Sequence, residues 1–169
     1  FNSTNILKDE ILKLRKMELP LIDESLGEKI KHTILQAKYD GDSVGGSIEC
    51  AVTGISPGIG NPFFDSVEST LAHLMFSVPA VKGIEFGKGF EMTNMFGSEC
   101  NDEYYYDGDK VKTTTNNNGG ILGGITNGMP ILFKVAIKPT ASIIKEQSTI
   151  DIKTNENVSL ELKEDMTHV

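Results

Sequence analysis

The sequence predicts an α+β fold, formed by one unit over residues 1–169. Two patterns carry the prediction. Apolar residues recur at helical spacing at Leu26, Ile30, Ile34 and Ala37, and again at Val67, Leu71, Leu74, Met75 and Val78. They alternate at strand spacing at Ile48, Cys50 and Val52, and at Ile131, Phe133, Val135 and Ile137. No internal repeat or low-complexity linker divides the chain, hence a single unit.

The first helix is expected from about Asn5 to Lys16, with Ile6, Leu7, Ile11 and Leu14 on one side and Pro20 beyond its end. A second starts near Asp23 as N-cap and stops at Asp40 and Gly41; its apolar stripe should pack on a sheet. The strand Gly46–Thr53 follows, then a Gly/Pro loop. Asp65 and Glu68 stand three apart, the spacing of a capping box, and open a third helix. Strands are expected at Val81–Phe86 and Ile131–Ile137. Two more, Ser148–Lys153 and Val158–Leu162, are joined by a hairpin turn at Thr154–Asn157, with Val158, Leu160 and Leu162 on one face. The polar stretch GSECNDEYYYDGDKVKTTTNNN, residues 97–118, reads as an exposed loop or mobile lid.

Composition is that of an ordinary soluble domain, with 38% hydrophobic and 24% charged residues. A formal net charge of −8 argues against a nucleic acid partner, and no apolar run approaches membrane-spanning length. Cys50 and Cys100 lack metal-ligand spacing and are expected to be reduced and structural, in a cytoplasmic protein. No secretory or transit signal is visible at the start. Asn2 to Thr4 and Asn157 to Ser159 match the glycosylation acceptor pattern, read as coincidental without a secretory route.

The segments that speak to function are TNNNGGILGGITNG, residues 115–128, and KPTAS, residues 138–142. Five glycines in the first let main chain approach a ligand closely and adopt φ > 0. The second offers an ammonium, two hydroxyls and a rigidifying proline after an apolar strand, which suits an anion such as phosphate. GGILGG is not G-x-G-x-x-G, and GIEFGKG at 83–89 lacks the spacing and the Ser/Thr of a P-loop. A tight turn between strands and a polar strand end stay open as plain structural readings.

His32, His73 and His168 carry no catalytic signal; the first two lie off the apolar stripes of their helices. The Asp40/Asp42 and Asp102/Glu103 pairs have no third ligand at useful spacing, so turns and a solvated face are expected there, with no metal site.

Several longer words occur in order: DGDSVGG at 40–46, GIGNPFFD at 58–65, SVPAVKGIEFGKGF at 77–90, then Gly97, Ser98, Asn101, Asp102, NNNGGILGGI at 116–125 and KPT at 138–140. Over residues 20 to 143 the series closely resembles chorismate synthase. That resemblance implies a β-α-β sandwich with helices between largely antiparallel sheets, assembled as a homotetramer. It implies a 1,4-anti elimination of phosphate from 5-enolpyruvylshikimate 3-phosphate to give chorismate, in aromatic amino acid biosynthesis, with reduced FMN required although there is no net redox change.

By the same resemblance, flavin contacts fall on Pro79 and Ala80, on Gly123, and on Lys138, Pro139, Thr140, Ala141 and Ser142, with Asn117 a weaker candidate in the same loop. Asn118 stands where alanine is usual. The family's histidine words, Ser-x-Gly-x-Ser-His-Gly and Gly-Arg-His-Ser-Gly-Arg, have no counterpart, nor do its Arg-Ser-Ser-Ala-Arg-Glu and Gly-Arg-His-Asp-Pro-Cys words. No catalytic residue is therefore assigned within the chain. It begins with Phe1 and is expected to be the middle of a protein about twice as long. The charge agrees: a substrate with one phosphate and two carboxylates calls for arginine forks, and Arg15 is the only arginine. Two alternatives remain, a truncated or split segment without catalysis and a flavin-binding module without turnover.

Overall fold

The computed structural model describes residues 8–162. They fall into two compact units. One takes the described part of Phe1–Lys16 with Ser47–Ile137; the other takes Met17–Gly46 with the described part of Lys138–Val169.

The first unit is built on a three-stranded sheet of β1 (Gly46–Val52), β7 (Ile131–Ile137) and β2 (Val81–Phe86), with β7 in the middle. β7 is central because it is apolar on both faces: Ile131, Leu132, Phe133 and Val135 are all buried. β2 pairs with it antiparallel from Val81↔Ile137 to Phe86↔Phe133, and a bulge between Val81 and Gly83 leaves Lys82 as the extra residue. Over this sheet packs α3 (Val67–Phe76), whose Val67, Leu71 and Met75, four residues apart, meet a core of Val81, Ile121, Ile131, Phe133 and Val135. Leu74 and Val78, expected on the same stripe, are exposed.

The cap of α3 differs from the expected Asp65/Glu68 box. Asp65 exchanges both backbone hydrogen bonds with Asn61, at 3.0 and 3.1 Å, which holds it extended. The chain turns into the helix one residue later, at Ser66, whose Oγ accepts from Ser69 N at 3.1 Å.

Residues 97–118 are not a loop. They form α4 (Gly97–Cys100) and a hairpin of β3 (Tyr104–Asp107) and β4 (Lys110–Thr113) in register from Tyr104↔Thr113 to Asp107↔Lys110. The tyrosine run fits a strand, and Lys112 closes on Asp107 at 2.5 Å. A second, short hairpin, β5 (Ile121–Leu122) with β6 (Ile125–Thr126), carries the glycine turn. The first helix is α1 (Lys8–Leu14); the expected start at Asn5, with Ile6 and Leu7, lies outside the described residues, as do Asn2 to Thr4 and His168.

In the second unit, α2 (Leu26–Tyr39) has no buried residue, and Leu26, Ile34 and Leu35 are exposed. The stripe expected to pack on a sheet is thus largely open. Asp23 does not cap α2 directly; its Oδ1 accepts from Ser25 N at 3.0 Å in the turn just before. The predicted hairpin is present as β8 (Gln147–Asp151) and β9 (Glu156–Leu160), but its turn lies at 152–155, two residues before the expected Thr154–Asn157, with Asn155 at φ 59 and its N–H donating to Asp151 O at 2.8 Å. Val158 and Leu160 point the same way in the pattern, yet both are exposed.

Candidate functional site

The glycine segment starts from a buried carboxylate. Asp102 is 7% exposed, and four donors converge on it. Oδ1 accepts from Thr115 Oγ1 at 2.6 Å and Asn117 N at 2.7 Å; Oδ2 accepts from Asn118 N and Asn118 Nδ2, both at 2.9 Å. Burial pushes the Asp102 carboxyl up, but the bonds from Thr115, Asn118 and Asn117 together outweigh it and hold it below the ordinary carboxylate range. It is therefore an ionised anchor wrapped by neutral donors. The expectation of a turn or solvated face holds for exposed Glu103 and fails for Asp102.

Asn117, the weaker flavin candidate, is itself buried and faces inward. Its Nδ2 donates to Glu99 O and Cys100 O, both at 3.2 Å, while its carbonyl accepts from Lys88 N at 2.8 Å. Asn118 uses its side-chain amide as the fourth donor to Asp102, which ties the loop at that residue.

Gly119 continues the segment at φ +65, packed backbone to backbone: an added Cβ would stand 2.5 Å from Gly87 N and 2.6 Å from Leu132 O. Gly123 and Gly124, at φ +60 and +85, then form the two-residue turn of the β5–β6 hairpin, the conformation that favours paired glycines. Their surroundings differ. Gly124 is buried, its carbonyl accepts from Val67 N at 3.1 Å, and a Cβ there would meet Ser66 Cβ at 2.8 Å. Gly123 is exposed, and a Cβ would meet nothing within 4 Å. The first glycine of the pair has open space beside it, and the second seats the turn on the N-terminus of α3.

Pro79 and Ala80 form the turn from α3 into β2. Pro79 is exposed and Ala80 half-buried, with Ala80 at φ 69, a left-handed conformation unusual for a residue with a Cβ. The Lys82 bulge follows at once. Strained backbone and a bulge together fix the carbonyl and amide directions of this turn.

In the second unit the words DGDS and KPTAS come together. Ser43 Oγ donates to Thr140 O at 2.6 Å, Gly41 O accepts from Ile144 N at 3.0 Å and Lys145 N at 3.2 Å, and Lys145 Nζ lies 2.6 Å from Asp42 Oδ2. The Lys145 ammonium holds the Asp42 carboxyl below its usual range, with Ser43 N adding to the effect, and Asp42 raises Lys145 in turn. Both are solvent-exposed enough that the pair orients the loop more than it stabilises it. Ala141 O accepts from Gln147 Nε2 at 3.3 Å. The backbone of the segment is thus held, while the Thr140 and Ser142 hydroxyls have no partner among the described residues and Lys138 Nζ reaches only Pro139 O at 3.4 Å. Pro139 and Ala141 are exposed.

His32 on α2 and His73 on α3 are exposed. Cys50 is half-buried, and burial, then Glu49, push its thiol up, which suits a packing role over a nucleophilic one. Asp102 is the residue sequence reasoning misplaced. The available signal was an aspartate followed, 13 to 16 residues on, by a run of amide and hydroxyl side chains that could enclose it.

Fold and loops define an α+β protein whose glycine turn and KPTAS segment have their backbone held by hydrogen bonds. The family model described as chorismate synthase matches residues 3–169, beyond the 20–143 over which its words are legible. The chain belongs to the chorismate synthase family. It is 44% identical over 155 residues to a chorismate synthase of Methanocaldococcus jannaschii, covering 91% of this chain and 40% of that one. With a chorismate synthase of Chitinophaga pinensis the identity is 55% over 122 residues, 72% of this chain and 36% of the other. A crystal structure of chorismate synthase superimposes with a TM-score of 0.72 at 37% identity, over 79% of this chain and 41% of that chain. The described fold is accordingly α+β and part of the chorismate synthase fold. The chain spans about two fifths of the length of these curated relatives.

Proposed function

We propose that the chain forms the flavin-side part of a chorismate synthase, a lyase that eliminates phosphate from 5-enolpyruvylshikimate 3-phosphate to give chorismate with the help of reduced FMN. The observation that carries this reading is Gly123: unlike Gly119, Gly120 and Gly124 of the same segment, its Cβ direction is open, so a flat ring could lie against the main chain there. The residues present suit such a group. Within the first unit Pro79, Ala80 and Gly123 offer backbone contacts; within the second, taken by itself, Lys138, Pro139, Thr140, Ala141 and Ser142 offer an ammonium, two unpartnered hydroxyls and a braced main chain.

Bound reduced FMN would supply transient electron density to the substrate as phosphate departs. The chain's own residues would place it. Lys138 would neutralise cofactor charge, Thr140 and Ser142 would hydrogen-bond its polar atoms, and the Ala80 turn would fix the approach of the backbone. Substrate carboxylates and phosphate would draw on groups other than Arg15, and proton transfer on groups other than His32 and His73, both exposed on helices. We read residues 1–169 as one incomplete domain of a cytoplasmic homotetramer; the two free thiols, Cys50 and Cys100, suit a reducing compartment. Among the described residues no helix is long and apolar enough to cross a membrane.

Exposure of both described histidines favours a second reading, a flavin-binding segment without turnover. Incubating the 169-residue chain anaerobically with reduced FMN and the enolpyruvyl substrate separates the two: chorismate above a protein-free control supports the enzyme, and flavin binding without chorismate supports the segment. Lys138→Ala should weaken FMN binding by about tenfold, the loss of one charge-assisted contact. Titration by flavin fluorescence reads it, and unchanged affinity removes Lys138 from the site.

A further inference from the structure

We propose that Asp102 is a positioning residue for the flavin contact at Gly123, acting by fixing the limb of main chain that leads into the Gly123–Gly124 turn. The proposal rests on the flavin reading given above and names a residue outside the contacts assigned to it.

The argument follows the chain. The four bonds to the Asp102 carboxylate come from Thr115, Asn117 and Asn118, so three of four consecutive residues close around one buried anion. Asn118 is followed by Gly119 and Gly120, then by β5. Gly119 N donates to Asn116 O at 3.1 Å and Gly119 O accepts from Leu132 N at 3.1 Å, which ties the enclosed segment to the central strand. Asn127 N donates to Gly120 O at 3.0 Å, closing the base of the hairpin. β5 and β6 have only two residues each, too few to hold the turn by their own pairing. The turn is therefore held by its two limbs together with the bond from Val67 N to Gly124 O at 3.1 Å. On the leaving side, Thr126 Oγ1 donates to Ser56 O at 2.7 Å and accepts from Ile59 N at 2.9 Å. On the entering side, the side chain that reaches in from outside the segment is Asp102.

A carboxylate is suited to this because it only accepts, and here every bond it receives comes from an N–H or O–H of the segment. An amide in its place would set an NH2 against N–H groups. A site whose supporting groups are loosened by a fraction of an ångström loses affinity without losing its fold.

The test is Asp102→Asn, with FMN affinity and the amide resonances of Gly123 and Gly124 measured well below the melting temperature, where circular dichroism shows the fold intact. We expect FMN affinity to fall at least about tenfold and both glycine resonances to move. Ile131→Val, a core truncation on β7, should lower the melting temperature and leave both readouts in place, which separates positioning from stability. Unmoved affinity and unmoved resonances in folded Asp102→Asn overturn the proposal. Should that variant fail to fold, Thr115→Val and Asn118→Ala each remove one donor to the carboxylate, and smaller shifts of the same sign are required of both. If wild-type chain binds no FMN, the flavin reading fails and the proposed link to flavin fails with it. Loss of affinity in Lys138→Ala alone, with Asp102→Asn at wild-type affinity, leaves the flavin reading and sinks this one.

Discussion

Gly119→Ala should be among the most damaging single-methyl additions in the chain, costing about 2–5 kcal/mol of folding free energy. Two terms make up that figure. A left-handed φ of +65 costs an alanine about 1–2 kcal/mol. The new Cβ would also stand 2.5 Å from Gly87 N and 2.6 Å from Leu132 O, and overpacking typically adds about 1–3 kcal/mol. Relief by movement is blocked, because Gly87 N donates to Leu132 O at 2.9 Å and Leu132 N to Gly119 O at 3.1 Å; the obstructing atoms are themselves the bonds between the segment and β7. Urea unfolding followed by circular dichroism gives the number. A loss under about 1 kcal/mol would show that the backbone crossing is looser than these distances allow.

Phe133→Ala should be comparably severe, at about 3–5 kcal/mol. Phe133 is 6% exposed on the central strand, its ring centroid 6.0 Å from that of Phe86 on the neighbouring strand, and it lies in the core with Val81, Ile121, Ile131 and Val135. Truncation would leave a hole bordered on both sides by strands of one sheet, which has little freedom to collapse. Thermal melting of the variant beside wild type measures the effect. A cost near that of a surface substitution, within about 0.5 kcal/mol, would mean that β7 is not the centre of the core.

What could be foreseen from the residues follows the range of the forces involved. Ile131–Ile137 was legible to the residue from period-two alternation, a local signal, and the bounds of Val81–Phe86 also match. α3 was legible in position but not in its cap: Asp65 and Glu68 have the right spacing, and only the bridge from Asp65 to Asn61 shows why Ser66 takes the role. The stretch from Gly97 to Asn118 is largely exposed, as its polarity indicates, but it is a short helix and a hairpin instead of a loop, and Asp102, Thr113 and Asn117 are buried within it. Its polar groups bury one another: Asp102 with Thr115, Asn117 and Asn118, and Thr113 with Thr115 O. The pairings to Asp102 span 13 residues or more and leave no periodic trace.

The α2 stripe shows the converse. Leu26, Ile30 and Ile34 mark one face correctly, but periodicity says only that a face is apolar, not that something lies upon it. For the candidate site, the words around Pro79, Gly123 and Lys138 to Ser142 are the source of the proposed positions. What they could not give is the difference between neighbours such as Gly123 and Gly124, which have the same identity, the same sign of φ and opposite surroundings.

That difference makes the turn informative in a selection experiment. In a library randomised over Gly119, Gly120, Gly123 and Gly124 and sorted only for folded protein, positions 119, 120 and 124 should return glycine, because a Cβ at each meets neighbouring atoms inside contact distance. Position 123 should admit asparagine as well, the residue that best tolerates a left-handed backbone where space is open. Sorted instead for retention of flavin, the same library should narrow to glycine at 123. The gap between the two sequence logos would report, at a single position, a constraint imposed by the ligand and not by the fold.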